Sequence, residues 1–358
     1  MAFAATIRES SLDDFVLHTR KKLGKDVTDI VTPAQVVFKQ LERKGAIEEE
    51  EPGQGPVEPV TFVVPDRITV LSRSDNFKQR NLVPIETATE AQYDWVMLLN
   101  EFTIDYYTYR NAVSPLGFAK YVERQLKVLD QGLQNKLIDY LWNGHTSNTD
   151  YICGLKDMIQ FDPTSDPTRG SVGRISVSDI SDWANQYANY NTAFATYSTG
   201  VRTKTMLTDG SNSWQALYLN CSNNPMAQTA EGQPDLILVN TTCWLYLHQL
   251  HEQQRILRST TSKEELGVEG FAFQNATVVW DPDVPDDPND STYGVAFFVN
   301  TDALRVVFAT GNKRVWSELR KLDGHTGWSA EEVTQFSMTC KDRRKHGVHF
   351  GQKAISVS

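Results

Sequence analysis

The hydrophobic pattern is clearest between Ser114 and Gly144. Val122, Leu126, Leu129, Leu133, Leu137 and Tyr140 recur at spacings of three and four, which places them on one face of an α-helix. Ser114 can cap the first turn, Pro115 suits the first helical position, and Asn143-Gly144 supplies a stop. The pattern predicts one helix over 115–142, about 28 residues and on the order of 40 Å long at ~1.5 Å per residue. That length suits a spine on which other layers rest.

Upstream, Leu12, Phe15, Val16 and Leu23 form an amphipathic stretch closed by Gly24. A second helical segment starts near Thr32-Pro33 and carries Val36, Val37, Phe38 and Leu41 before Gly45. The acidic run from Glu48 to Glu51 reads as its solvated end. Pro52-Gly53-Gln54-Gly55-Pro56 interrupts regular structure as a linker or an extended arm. Strand-like runs over 60–64 and 68–71 flank Pro65-Asp66, and a polar tract over 72–81 follows, which predicts a long exposed hairpin or loop. Residues 91–99 have a helical look, and 102–109 alternate aromatic and β-branched side chains as a strand does.

Past Gly144 the chain is rich in loops, with Asp162-Pro163 and Asp166-Pro167 as breakers, then a helix expected over 179–190. A four-residue apolar strand over 236–239 feeds the cap Asn240-Thr241-Thr242 and a helix face of Leu247, Leu250, Gln254 and Leu257. Strands over 276–280, 295–300 and 304–308 surround the proline- and aspartate-rich turn 281–290. A last strand over 334–340 sets Phe336, Met338 and Cys340 on one face. No internal repeat is visible, and the elements make an α+β chain whose sheets must draw on distant segments.

Composition narrows the class. At 358 residues, with 40% hydrophobic and 22% charged side chains, the chain can bury a core in one large domain or two ordinary ones. Its formal charge of −10 and the lack of a basic stripe disfavour autonomous nucleic-acid binding and leave only loose contact. Cys153, Cys221, Cys243 and Cys340 form no CxxC pair and are expected as free thiols in a reducing compartment. The first ten residues lack the apolar core of a signal peptide, and no run approaches the ~18–20 apolar residues that span a bilayer. Synthesis in the cytoplasm without membrane contact is expected.

Candidate chemistry is thin. Cys243, His248 and His251 lie on one predicted helix and could begin a zinc site, but no fourth ligand is near. His346 and His349 follow the basic run from Lys341 to Lys345, expected as a solvated or partner-facing strand end. The acidic turn 281–290 lacks the glycine and terminal glutamate of an EF-hand loop and is expected as a polar turn. The tyrosines at 106, 107 and 109 are expected in a core or interface rather than as a stacking platform. No GxSxG, HExxH, P-loop or GxGxxG pattern occurs, so no catalytic, cofactor or metal residues are assigned.

The order of these pieces resembles the HK97-fold major capsid proteins of tailed bacteriophages. Ile152-Cys-Gly-Leu-Lys-Asp-Met-Ile, Gly170-Ser-Val-Gly-Arg-Ile, Trp183, Pro234-Asp-Leu-Ile-Leu-Val-Asn and Phe273-Gln-Asn-Ala-Thr-Val-Val-Trp-Asp look like the segment pattern of one such group. The resemblance implies an N-terminal arm over 1–59, an extended hairpin loop over 60–90 and a peripheral domain over 91–150 with its spine helix. An axial domain over 151–265 and a return to the peripheral domain over 266–358 would follow. It further implies hexamers and pentamers tiling an icosahedral shell around phage DNA, with a portal, possible decoration proteins and no enzymatic activity. The chain has no room for a long cleaved scaffolding segment, so a separate scaffolding protein is expected. Lys78 lies in the hairpin region, but nothing marks a cross-linking partner for it. The alternatives are a hydrolase with dispersed catalytic residues and a viral tail or adhesin binding module.

Overall fold

The computed structural model describes residues 36–53, 55–61, 88–105, 115–146, 151–166, 170–190, 207, 212–222, 232–254, 270–318, 320–321 and 327–352. In chain order its strands are β1 (Ile47–Glu50), β2 (Val57–Thr61), β3 (Ala88–Gln92), β4 (Val96–Asp105), β5 (His145–Thr146), β6 (Tyr151–Ile152), β7 (Gln186–Asn189) and β8 (Leu236–Val239). Then come β9 (Gly270–Phe273), β10 (Ala276–Trp280), β11 (Gly294–Val299), β12 (Leu304–Ala309), β13 (Val315–Trp316), β14 (Arg320–Lys321), β15 (Gly327–Cys340) and β16 (Gly347–Gln352). Helices occupy Val36–Arg43, Pro115–Asn143, Leu155–Met158, Trp214–Ser222 and Thr241–Gln254.

The predicted spine helix is present over Pro115–Asn143. It stops where the sequence said it would: Gly144 adopts φ +66° and donates its N–H to the Tyr140 carbonyl. A Cβ there would collide with the Ile152 carbonyl, so only glycine fits the close approach. Val122 and Leu126 pack on Phe102, Ile104 and Ala330, which seats the helix on one face of a six-stranded sheet.

That sheet is organised by β15. Along one edge β15 pairs antiparallel with β4, from Val96 opposite Phe336 to Asp105 opposite Gly327. Along the other it pairs in succession with β12, β13 and β14, and β1 adds to β12 in parallel. Because side chains alternate along a strand, β4 sends Phe102 and Ile104 under the helix and Met97 and Leu99 to the opposite face.

The second sheet runs β7-β16-β11-β8-β10-β9. Every residue of β8, β11 and β16 is buried, the mark of strands covered on both faces. Leu236, Leu238, Val295, Phe297 and Val299 join the core that also contains Phe336 and Met338 of the first sheet. Their alternates Ile237, Val239, Ala296 and Phe298 pack against Trp214, Leu217 and Cys243 of the two covering helices. The sheet mixes strands before residue 265 with strands after it.

Several expectations change. Residues 48–50 form strand rather than a solvated helix end, because Arg305 and Lys313 on the far side of the chain pair with Glu48 and Glu49. Residues 91–99 belong to β3 and β4, not to a helix, since β15 supplies a ten-pair ladder for β4. In place of the helix expected over 179–190 stand a 3-10 turn at Ser181–Trp183 and β7. The strand expected over 334–340 begins at Gly327, and β16 and the helix Trp214–Ser222 were not foreseen. The stretch 10–23, the strand expected over 68–71, and residues 106–109 with their tyrosines lie outside the described residues.

Candidate functional site

The strands on either side of residues 62–87 meet in a two-stranded root. β2 and β3 pair antiparallel from Val57 opposite Gln92 to Thr61 opposite Ala88, and the intervening 62–87, Lys78 included, lie outside the described residues. Four polar contacts tie this root to the body. The buried Glu58 accepts a hydrogen bond from the Thr339 hydroxyl at 3.0 Å and lies 3.6 Å from the Arg305 guanidinium, which also pairs with Glu48. Tyr93, just past β3, donates its hydroxyl to the Cys340 carbonyl at 2.8 Å and accepts from the Cys340 N–H at 3.2 Å. Burial pushes its phenol well above the usual range, so it stays a neutral donor. The Tyr93 N–H donates to the Pro56 carbonyl, and Gly55 passes so close to the Tyr93 backbone that a Cβ would collide with it. The run expected as a linker or an extended arm is thus held against the Tyr93 backbone at Gly55 and Pro56.

A second cluster clamps the long helix to the first sheet. Arg314 donates from Nε to Glu332 Oε1 at 2.9 Å and from Nη2 to Asp130 Oδ1, while Asn100 donates to Glu332 Oε2 and the Leu129 carbonyl. Burial pulls the guanidinium pKa down, but Glu332 and Asp130 outweigh it and hold it above its ordinary value.

On the sheet face away from the helix lies an apolar stripe. Met97 is 58% exposed, Leu99 53% and Val315 44%, and Leu99 and Val315 both stand opposite Val333 on β15. Among the described residues the outer edge of β4 pairs with nothing. An exposed edge strand with an apolar face is a surface that another chain can cover.

The residues singled out for chemistry are not brought together. Cys243 is buried and donates from Sγ to Gln352 Oε1 at 2.9 Å, His248 stacks edge-on against Trp244, and the His251 side chain lies outside the described residues. His346 and His349, expected on a solvated strand end, are fully buried. His349 accepts at Nδ1 from Gln352 and donates from Nε2 to the Asn212 carbonyl, and burial pushes its pKa down to about 4. His346 accepts at Nδ1 from the Asn300 N–H, and burial pushes it down to about 3. The basic run turns inward at Arg343, whose guanidinium donates to the carbonyls of Asp157 and Met158. No local sequence signal marks the burial of His346, His349 and Arg343, because Asn300, Asn212, Asp157 and Met158 come from distant segments.

The acidic turn 281–290 is a set of local turns, with Asp287 also accepting from the Gly351 N–H at 2.6 Å. Among the described residues no three His, Cys, Asp or Glu side chains lie close enough to hold a metal ion, and no helix is long and apolar enough to cross a membrane. A cavity of about 20 Å³ under the helix Val36–Arg43 has room for roughly one water.

No family model matches the sequence, and no curated protein matches it significantly. Solved structures do match. The cyanophage A-1(L) capsid asymmetric unit aligns over 88% of this chain and 94% of that one at 13% identity, with a TM-score of 0.51. The holo-SrpI encapsulin complex from Synechococcus elongatus PCC 7942 aligns over 88% of each chain at 9% identity and a TM-score of 0.47. The capsid of Myoviridae phage XM1 covers 86% and 90% at 10% identity and 0.47. On the first of these, and on the spine helix laid across a sheet ordered by β15, the chain has the α+β, HK97-like fold of a phage capsid subunit.

Proposed function

We propose that the chain is a major capsid protein, which assembles into hexamers and pentamers that tile an icosahedral shell around phage DNA. The observation that carries this reading is the shared fold over nearly the whole of both chains. The β2–β3 root supports it: Glu58 and Tyr93 fix both strands to the body. The apolar stripe beside the open edge of β4 supports it too, since a neighbouring copy that covers Met97 and Leu99 removes them from water.

In this reading the protein works by geometry and not by catalysis. Its arm and hairpin are residues 1–59 and 60–90, and the first sheet with the long helix is its peripheral part. The axial part takes in 151–265 together with the strands β9, β10, β11 and β16 that share the second sheet. A separate scaffolding protein, a portal and possible decoration proteins are the other partners, contact with DNA is loose and non-specific, and assembly takes place in the host cytoplasm before the protein resides in the virion.

Sedimentation of the purified protein with negative-stain imaging, with and without a scaffolding partner, tests this. Shells, tubes or ring-shaped capsomers are expected. A species that stays monomeric or dimeric under all conditions overturns the reading.

A further inference from the structure

Asp281 follows β10 directly and is 1% exposed. Its Oδ1 accepts from the Asp283 N–H at 2.9 Å, but its Oδ2 is buried without a hydrogen-bond partner. It lines the cavity of about 20 Å³ on which the helix Val36–Arg43 sits. Val37 and Leu41 of that helix, Ile138 and Trp142 of the long helix, Leu155 and Met338 also line it. Each packed element thus presents apolar side chains. The charged groups nearby are Asp283 on the same turn, and Lys156 and Asp139, which act on Asp283. A water in the cavity would need two to four polar partners and finds one carboxyl oxygen, so an ionised carboxylate here has nothing to solvate it.

We propose that Asp281 is a proton-operated latch on the helix Val36–Arg43, which seats on the cavity while the carboxyl is neutral and lifts when it ionises. The inference goes beyond shell formation and does not depend on it. The helix is the element that joins residues 1–35 to β1, and β1 stays paired to β12 when the helix lifts.

The pH window follows from the environment. Burial pushes Asp281 up to about 7, helped by the Asp283 charge and opposed by the Asp283 N–H. With the helix lifted, the carboxyl is hydrated and its pKa returns to roughly 4. Between these values the seated form holds one more proton than the lifted form. Seating therefore weakens about tenfold per pH unit as pH rises through that window and levels off above it.

An eight-residue helix off the body does not hold its own hydrogen bonds, so hydrogen exchange of the full chain at pH 5, 6, 7 and 8, corrected for intrinsic rates, tests this at Lys44, Gly45 and Ala46, whose amides bond to its Gln40, Glu42 and Leu41 carbonyls. Protection in the native chain is expected to fall about 50-fold from pH 5 to 7 and about twofold more to pH 8. Asp281→Asn keeps the Oδ1 acceptor and removes the charge, so its protection should not vary with pH. Flat protection in the native chain, or the same fall in Asp281→Asn, overturns the latch. If the variant does not fold, NMR titration of the assigned Asp281 carboxyl carbon in the native chain decides. Side-chain methyl shifts of Val37 and Leu41 that follow that titration support the latch, and shifts that stay fixed while the Asp281 carboxyl ionises overturn it.

Discussion

At the scale of single residues, the polar groups that matter most are the buried ones. His346 and His349 are neutral in the folded chain, with pKa values of about 3 and about 4, against ~6.5 when unfolded. The unfolded chain therefore binds more protons below pH 6.5, and their contribution is lost as pH falls from there toward 4. Each histidine steepens the loss by about 1.4 kcal/mol per pH unit within that window. Urea unfolding at pH 7, 6 and 5 should show this, and His349→Gln should remove one proton's share of the slope. This global effect has the opposite sign to the local release of the helix at Asp281, so β11 amides and helix amides should respond to pH in opposite directions. Tyr93→Phe leaves the Cys340 N–H and carbonyl unpaired in the core, and denaturant unfolding should register a loss of about 1–3 kcal/mol.

Among elements, legibility in the sequence depended on where the partners lie. The spine helix carried its own instructions in Ser114-Pro115, the three-and-four spacing and Gly144, and β8 with the Asn240 cap was equally local. β1 was hidden because its glutamates are neutralised by Arg305 and Lys313, more than 250 positions away. The alternation of Met97, Leu99, Phe102 and Ile104 is meaningful only beside β15, and the burial of His346 and His349 only beside Asn300 and Asn212. Of the candidate surface, neither the β2–β3 pairing, whose second strand runs into residues that carry a helical pattern, nor the apolar stripe is legible locally, since both depend on distant strands.

The clamp at Arg314 gives a measurable element-level effect. Arg314→Met strands Glu332, which is fully buried, and should cost about 3 kcal/mol, the partial exposure of Arg314 keeping it at the low end. The double variant Arg314→Met, Glu332→Gln should be less damaged than the single, as denaturant unfolding can show. Replacing 62–87 by a short turn between Thr61 and Ala88 leaves the β2–β3 ladder and its anchors intact. Circular dichroism and melting should be close to native while sedimentation shows loss of large particles. Loss of soluble protein would instead place that segment in the core.

For the molecule as a whole, the exposed stripe separates folding from association. Met97→Asp with Leu99→Asp touches side chains that face water in the single chain, so stability should change by about 0.5 kcal/mol or less. If a second copy covers that face, the pair of charges abolishes particles at full monomer stability. Unchanged particles would show that the stripe is left uncovered.

The placement of β15 has a consequence for synthesis. The strand is the shared partner of β4, β12, β13 and β14, yet it begins at Gly327, more than 200 residues after β4 ends at Asp105. During translation β4 waits for the whole of that interval to be made before it has β15 to pair with. The face bearing Met97 and Leu99 is therefore not assembled until β15 has been made, and a nascent chain offers no such built face to a neighbour on the same messenger before then.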